Sequence, residues 1–217
     1  MDTMANKATM PGTTRPTASA ILAAASRAIV RRGADATRIA DIAAEAGTST
    51  GTVHYYFETK EDVLIAALKW ANERPYPRID ELLGHEADDL ERLGTLLELS
   101  IPYAGEAREE WIFFLELWGW ILHRPELIAD SAALDSRWRS YFVDIVRSGS
   151  GSGVFRPVAP PDEVADRLVA LVDGLGLKAV LGQPWMTPAR MRGILLRFAA
   201  GELQVSHEAL ERAATLG

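Results

Sequence analysis

The chain has 217 residues, of which 48% are hydrophobic and 24% charged, a balance that is typical of a globular protein and argues against extensive disorder. It contains no cysteine, which excludes disulfide bonds and thiolate metal sites and fits a reducing cytoplasm. The net charge of −7 does not by itself favour a nucleic-acid partner.

The charge is distributed unevenly along the chain. Residues 1–60 carry seven basic and five acidic side chains, whereas the remaining residues carry 16 basic and 25 acidic ones, so the N-terminal part is mildly basic and permits DNA binding. Residues 1–15 lack the apolar core of a signal peptide, and we expect a disordered polar leader there. The longest apolar stretch, residues 111–122, is too short to span a membrane. We therefore expect a soluble cytoplasmic protein without a membrane partner.

Apolar residues recur at helical spacing through almost the whole chain, and no pattern typical of β-structure stands out. We therefore predict an all-α protein. The first four helices are expected from Pro16 to Gly33, from a Thr37 cap to Gly47, from a Ser49 cap onward, and from about residues 58–62 to 74–78. Further helices are expected near residues 88–101, 107–123, 125–147, 161–182, 187–203 and 206–215, with the SGSGSG stretch at 148–153 as a flexible connector.

The stretch GTSTGTVHYYFETK at residues 47–60 combines glycines, hydroxyls and consecutive aromatic rings, which is not the pattern of a helix that only fills a core. Two short helices joined by a tight turn at Gly47 predict a helix-turn-helix, whose second helix enters the DNA major groove with its N-terminus first. Hydroxyl and backbone N–H groups at this end can bind phosphates or base edges. The residues expected to contact DNA are Arg38, Ser49, Thr50, Gly51, Thr52, His54, Tyr55 and Lys60. Tyr56 and Phe57 are expected to pack back on the first helix.

The sequence TRIADIAAEAGTSTGTVHYYFETKEDVLIAAL resembles the DNA-binding signature of the TetR family of transcriptional repressors, and the match covers about residues 17–68. Arg38 and His54 depart from the residues that the family usually has there. The resemblance implies a helix-turn-helix DNA-binding domain at residues 16–60, a linking helix at 61–77 and an effector-binding and dimerisation domain at 78–217. It also implies a homodimer that binds a palindromic operator in double-stranded DNA and is released by a small molecule.

The second half of the chain is rich in aromatic residues, and its stretch REEWIFFLELWGWILHRPELIADSAALDSRWRSYF resembles repressors of the BetI-like subgroup. We predict an effector pocket lined by Trp111, Phe114, Leu115, Glu116, Trp118, Trp120, Trp138 and Phe142. Its ligand would be apolar or aromatic, and Glu116 could offset a ligand cation held under aromatic rings. The alternatives are that the rings fill a core and that Glu116 pairs with a nearby arginine.

Two long helices predicted after residue 160 carry apolar faces that could form half of a four-helix dimer interface. The residues expected in this interface are Leu168, Leu171, Leu175, Ile194, Leu195 and Phe198. The alternative is that these residues form an internal face of the helical bundle.

The sequence offers no support for catalysis. It has no H-E-x-x-H motif and no Walker lysine, and its four histidines lie too far apart along the chain to suggest a metal site. We therefore predict no catalytic residues, no metal and no cofactor. The function predicted is that of a TetR-like transcriptional regulator acting as a repressor. The alternatives are a DNA-binding protein without an effector and, less favoured, a helical-bundle enzyme.

Overall fold

The computed structural model describes residues 16–84, 87–124 and 128–214, and the regular elements in these ranges are all α-helices. They are α1 (Ala18–Arg32), α2 (Ile39–Glu45), α3 (Thr50–Tyr56), α4 (Lys60–Glu73), α5 (Tyr76–Leu82), α6 (Asp89–Leu99), α7 (Glu106–Ile121), α8 (Ile128–Ser152), α9 (Pro161–Val180), α10 (Pro188–Leu203) and α11 (His207–Ala213). The predicted all-α class is confirmed. The leader predicted at residues 1–15 lies outside the described residues.

The N-terminal helices α1, α2 and α3 and the first half of α4 enclose a small core of their own, and we call this unit the head. Its buried side chains include Ile21 of α1, Ile42 of α2, Val53 of α3 and Val63 of α4. Each of these apolar side chains contributes about 1.5–3 kcal/mol by leaving water, which is enough to hold such short helices together.

The C-terminal helices α5, α6 and α8 to α11 surround a larger core, and we call this unit the body. A third cluster joins the two units, because Ile29 of α1 and Leu68 of α4 pack with Phe113, Leu117 and Trp120 of α7. Helix α7 therefore contacts the head through one side, while Trp111 on the same helix packs against the core of the body.

One of the two caps predicted in the head was wrong. Thr37 does not cap α2, because its side chain is buried and its hydroxyl donates to the Gly33 carbonyl oxygen at 2.7 Å. Arg38 occupies the N-cap position instead, with its backbone N–H donating to the Asp41 carboxylate at 3.0 Å. The Ser49 cap of α3 was predicted correctly, since its hydroxyl accepts from the Thr52 backbone N–H at 3.2 Å.

The flexible connector predicted at residues 148–153 was also wrong, since α8 continues through Ser152. Gly149 is buried against Phe155, and a Cβ atom at this glycine would lie 2.1 Å from the phenyl ring. The glycine therefore serves close packing rather than flexibility. The Ser150 hydroxyl donates to the Val146 carbonyl oxygen at 2.6 Å, which satisfies this side chain within the helix.

Candidate nucleic-acid interface and effector region

Helix α3 presents one face to solvent and the other to the core of the head. Val53 is fully buried, whereas Thr50, Gly51, His54 and Tyr55 are exposed. The exposed face is a direct result of the helical period, because residues three and four apart share a side of the helix. It combines hydroxyl, imidazole and phenol groups with the free backbone N–H groups of a helix N-terminus, all of which can donate to phosphate.

The other predicted DNA contacts lie around this face with different partners. Ser49 and Thr52 are 3.1 Å apart through their hydroxyl oxygens, so they stabilise the N-terminus of α3 as a pair. Arg38 is exposed at the start of α2. Lys60 donates from Nζ to the Asp35 carbonyl oxygen at 2.7 Å, and this ammonium therefore also ties the start of α4 to the turn between α1 and α2.

The aromatic run at the C-terminal end of α3 does not pack as a unit. Tyr55 is 67% exposed and its ring meets that of Tyr56 edge to face at 5.0 Å. Tyr56 is itself exposed, so the prediction that it anchors α3 on α1 was wrong. Phe57, in contrast, packs against the core of the head, as expected. The chain leaves the helical conformation at Phe57, which turns this ring inward while the two tyrosines remain outside.

The segment GTSTG at residues 47–51 also has the G-x-S-x-G spacing of a hydrolase nucleophile motif. That motif places its serine on a turn between a strand and a helix. Here helix α2 precedes the segment, and the Ser49 hydroxyl caps α3. The serine therefore has a structural role in the head rather than the setting of a nucleophile.

The predicted effector residues are divided between two cores instead of lining one cavity. Trp111, Trp138 and Phe142 pack in the body, where Phe142 is fully buried and the Trp111 Nε1–H donates to the Ser100 carbonyl oxygen at 3.1 Å. Phe114 and Trp120 belong to the cluster between head and body. Leu115 and Glu116 line a cleft beside the head, and Trp118 is half-buried. The core alternative therefore describes Trp111, Trp138 and Phe142.

Two clefts lie where α7 meets the head. The first, which we call the turn cleft, has a volume of about 410 Å³ and lies between the turn at residues 33–36 and the side chains of Leu115, Glu116 and Trp120. The second, which we call the α4 cleft, has a volume of about 380 Å³ and is lined by α1, α4 and α7. Both are large enough for a small organic molecule.

Glu116 links α7 to the turn that follows α1. Its Oε2 atom accepts from the backbone N–H of Ala34 at 3.1 Å, and the same oxygen lies beside Gly33, whose φ of 85° is favourable only for glycine. The hydrogen-bonding partner of Glu116 is therefore this backbone amide rather than an arginine side chain. A carboxylate bonded to an amide 82 residues away leaves no local signal in the sequence.

The α4 cleft combines aromatic rings with carboxylates. Its lining contains Trp70, Phe113 and Phe114 together with Glu106, Glu109 and Glu110. The Arg74 guanidinium lies 5.7 Å from the Trp70 ring centroid and is paired with the Glu106 carboxylate. Desolvation and then the charge of Glu106 raise the pKa of Glu110, although much of this side chain remains in contact with solvent. The sequence prediction included Phe114 but missed Trp70, because that residue lies on the helix expected only to link the two domains.

The dimer residues are placed in two groups. Leu168 and Leu195 are fully buried inside a single chain, so they pack the body and have no surface to offer a partner, which corrects their assignment to the interface. Leu171, Leu175, Ile194 and Phe198 are half-buried at the edge of the same core. Leu181 and Trp185 between α9 and α10 are more than half exposed, at 59% and 51%.

Among the described residues, no group of histidine, aspartate or glutamate side chains is arranged to hold a metal ion. Across the same ranges no helix combines the length and apolar character needed to cross a membrane.

A helix-turn-helix head on a larger helical body is the architecture of a DNA-binding transcriptional regulator. The chain matches the model of the bacterial regulatory proteins of the tetR family over residues 21–67, and that of the BetI-type transcriptional repressor C-terminal domain over residues 89–204. The chain therefore belongs to the TetR family, with a C-terminal domain of BetI type. The family resemblance and the BetI-like character expected from the sequence are confirmed.

Similar proteins agree with this assignment. A transcriptional regulator from Saccharomonospora viridis, crystallised in complex with choline, is 38% identical, with coverage of 83% of this chain and 94% of that one and a TM-score of 0.78. The HTH-type transcriptional regulator PksA from Bacillus subtilis is 28% identical over 79% of this chain and 82% of its own length. The HTH-type transcriptional repressor KstR2 from Mycobacterium tuberculosis is 25% identical over 63% and 68%.

Proposed function

We propose that this transcriptional regulator is a homodimeric repressor that binds a palindromic operator and is released by a small-molecule effector. The observation that carries the proposal is the solvent-exposed N-terminal end of α3, with its hydroxyls and uncapped N–H groups, in a chain of the TetR family. The BetI-type repressor domain and the repressor KstR2 among its relatives support repression. Residues 16–60 would bind DNA, residues 61–77 would link the two domains, and residues 78–217 would bind the effector and dimerise, and we propose no catalytic role.

The proposed DNA contacts fall into two groups by chemistry. Thr50, Gly51 and Tyr55 would meet base edges or the adjacent backbone, because they form the exposed leading face of α3. Arg38, His54 and Lys60 would contact phosphates, with Lys60 exchanging its bond to the Asp35 carbonyl for a phosphate oxygen. Ser49 and Thr52 would offer their hydroxyls at the same end while they hold the cap.

The proposed dimer interface lies along α9 and α10. Leu171, Leu175, Ile194 and Phe198 are the half-buried residues of this face, and the exposed Leu181 and Trp185 would extend it. A two-fold axis through this surface would pair two heads, as a palindromic operator requires.

The effector we favour is a small organic cation. Support comes from the choline complex of the 38% identical relative and from the acidic balance of this chain after residue 60. Effector binding would favour a conformer in which α4 is displaced, so that the two heads no longer fit successive major grooves. The ligand's differential affinity for the two conformers would set the upper limit of the shift in operator affinity.

Selection of bound duplexes from a random DNA pool, with salt concentration varied, tests the proposal. We expect a palindrome to be recovered. The Arg38→Ala variant should lower the slope of log affinity against log salt by about 1, since one phosphate contact is lost. The Arg212→Ala variant, which removes an exposed arginine from α11, is the matched control and should retain the wild-type slope.

Two results would contradict the proposal in different ways. If no duplex is enriched at any salt concentration, the proposal that the head binds an operator is refuted. An operator whose affinity is unchanged by small cations would favour the alternative of a DNA-binding protein without such an effector. Sedimentation of the Phe198→Ala variant tests the interface. Phe198 is half-buried in the single chain, and loss of the aromatic contact that the dimer would bury should shift the chain toward monomers.

A further inference from the structure

We propose that α3 reads its operator through the 5-methyl groups of thymine rather than through bidentate hydrogen bonds to guanine or adenine, and that the space beside Gly51 receives one of these methyl groups. The inference rests on the proposed function, because it names the class of base pair that the head would recognise. It concerns the choice of operator sequence and does not depend on the effector.

The side chains of α3 limit the hydrogen bonds that this helix can make to base edges. Its sequence is TGTVHYY, so it contains no arginine, lysine, asparagine or glutamine, the side chains that bond guanine or adenine through two atoms at once. It also contains no aspartate or glutamate to accept from the amino group of cytosine. Hydroxyl, imidazole, phenol and methyl groups remain. Of these, a methyl group has one specific partner, because thymine alone presents a methyl group in the major groove.

Thr50 is the threonine of α3 whose side chain is free to contact a base. The Ser49 hydroxyl oxygen accepts from the Thr52 backbone N–H at 3.2 Å and lies 3.1 Å from the Thr52 hydroxyl oxygen, so the cap orients both of these side chains. Thr50 is exposed, and its side chain has no hydrogen bond within the described part of the chain. Its methyl group can therefore pack against the methyl group of a thymine, a contact that threonine makes in the major groove.

The fold does not require a glycine at position 51. The residue is helical and exposed, and apart from the helix backbone a Cβ atom there would have one near neighbour among the described residues, the Ser49 hydroxyl oxygen at 3.7 Å. Gly176, in contrast, is required by packing, because its Cβ atom would overlap the Trp111 ring. Glycine is among the least favourable residues in a helix, so Gly51 lowers helix stability without a compensating contact in the free protein. We therefore assign the space beside it to a group of the bound DNA.

Thr50 and Gly51 lie together at the end of α3 that enters the major groove first. In helix-turn-helix proteins the residues at this end contact the base edges. A thymine methyl group stands out from its base edge, so it needs either an apolar partner or room to enter. The Thr50 methyl group supplies the partner and Gly51 supplies the room. His54 and Tyr55 follow one turn later, and neither ring comes within 4 Å of a Cβ atom placed at Gly51.

Replacement of single thymines by deoxyuridine in the selected operator tests the proposal, because it removes the methyl group and nothing else. Fluorescence anisotropy at a fixed salt concentration measures the operator affinity of the full-length chain. We expect one or two thymines in each half-site to be sensitive, with a loss of about fourfold for each buried methyl group and about 15-fold when both half-sites are changed. Replacement of guanines by 7-deazaguanine, which lacks the N7 acceptor, should change the affinity by less than about twofold.

Two variants of α3 test the assigned contacts separately. Gly51→Ala adds a methyl group where that of the operator is expected, so it should weaken binding by at least about tenfold, and deoxyuridine at one position in each half-site should restore most of this loss. Its thermal midpoint should be unchanged or higher, since alanine favours a helix and the fold leaves room for it. Thr50→Ser keeps the hydroxyl group but loses the methyl group, and it should no longer distinguish thymine from uracil at its position.

Gly151→Ala and Thr187→Ser are the matched controls. Both residues are exposed outside the head, where Gly151 lies in open space on α8 and Thr187 caps α10 with a hydroxyl group that serine retains. Both variants should bind the thymine operator like the wild type and show the same loss when deoxyuridine is introduced.

Three results would overturn the inference. The first is an operator whose affinity does not change with any deoxyuridine replacement. The second is equal weakening of Gly51→Ala on the thymine and deoxyuridine operators, since the space would then not hold a thymine methyl group. The third is a loss of about tenfold with 7-deazaguanine, and its disappearance in Arg38→Ala would assign guanine recognition to the start of α2. All three leave operator binding itself in place, whereas selection without an enriched duplex would refute the proposed function as well.

Discussion

Removal of the Glu116 carboxylate should weaken the attachment of the head to the body. This carboxylate accepts from the backbone N–H of Ala34, a residue that is only 5% exposed. Hydrogen bonds to a charged group contribute about 1.5–3 kcal/mol, and a buried donor left without a partner has a similar cost. Because Glu116 is half-buried and water can enter the turn cleft, we expect Glu116→Ala to lower the free energy of unfolding by about 1–2 kcal/mol.

Urea denaturation followed by circular dichroism would measure this loss. The Glu116→Gln variant keeps a neutral carbonyl acceptor and should lose about half as much stability, since hydrogen bonds to charged groups are roughly twice as strong. Glu81→Ala is the matched control, because it removes an exposed glutamate on α5 and should change stability by less than about 0.5 kcal/mol.

The same variants should separate stability from DNA binding. If Glu116 fixes the orientation of the turn at Gly33, Glu116→Ala should also weaken operator binding by about 5- to 20-fold, the lower part of the usual range for coupling between sites. A Glu116→Ala variant with the wild-type urea midpoint would refute the assigned hydrogen bond. Wild-type operator affinity together with lower stability would refute the coupling alone.

Two further predictions concern the body. Gly149→Ala should destabilise the fold by about 1–3 kcal/mol, because its Cβ would overlap the Phe155 ring. Gly151 lies in open space on the same helix, so Gly151→Ala should be neutral or stabilise the fold by up to about 1 kcal/mol. Thermal unfolding of both variants measures this difference. Desolvation and the hydrogen bond to Glu98 raise the pKa of Tyr103 from 10.0 to about 12, so the folded chain keeps a proton that the unfolded chain loses. The free energy of unfolding should therefore fall between pH 10 and 12. Urea denaturation at a series of pH values should show a smaller fall for Tyr103→Phe than for the wild type. An equal fall in both proteins would contradict the assigned pKa.

Local patterns predicted much of the head. The Ser49 cap, the exposed face of α3 and the glycine that ends α1 follow from interactions within one or two turns, which a sequence displays directly. The same locality explains the errors. The composition of residues 148–153 suggested a flexible connector. In the structure the Phe155 ring, six residues after Gly149, packs back against the helix at this glycine. Helix α5 was not among the predicted helices, although proline is tolerated in a first helical turn, which is where Pro77 lies.

The amino-acid sequence by itself determined the all-α class and the helix-turn-helix, because capping residues and apolar periodicity act over a few residues. Its resemblance to the TetR DNA-binding signature indicated the family. The tertiary structure decided which aromatic rings fill the core and which ones line a cleft. It also placed Leu168 and Leu195 in the interior of a single chain. It also decided that Glu116 binds the turn beside Gly33 and that Trp70 faces α7 across a cleft. These arrangements depend on helices packing across long sequence separations, and periodicity shows only that a side chain is turned inward, not what it meets there.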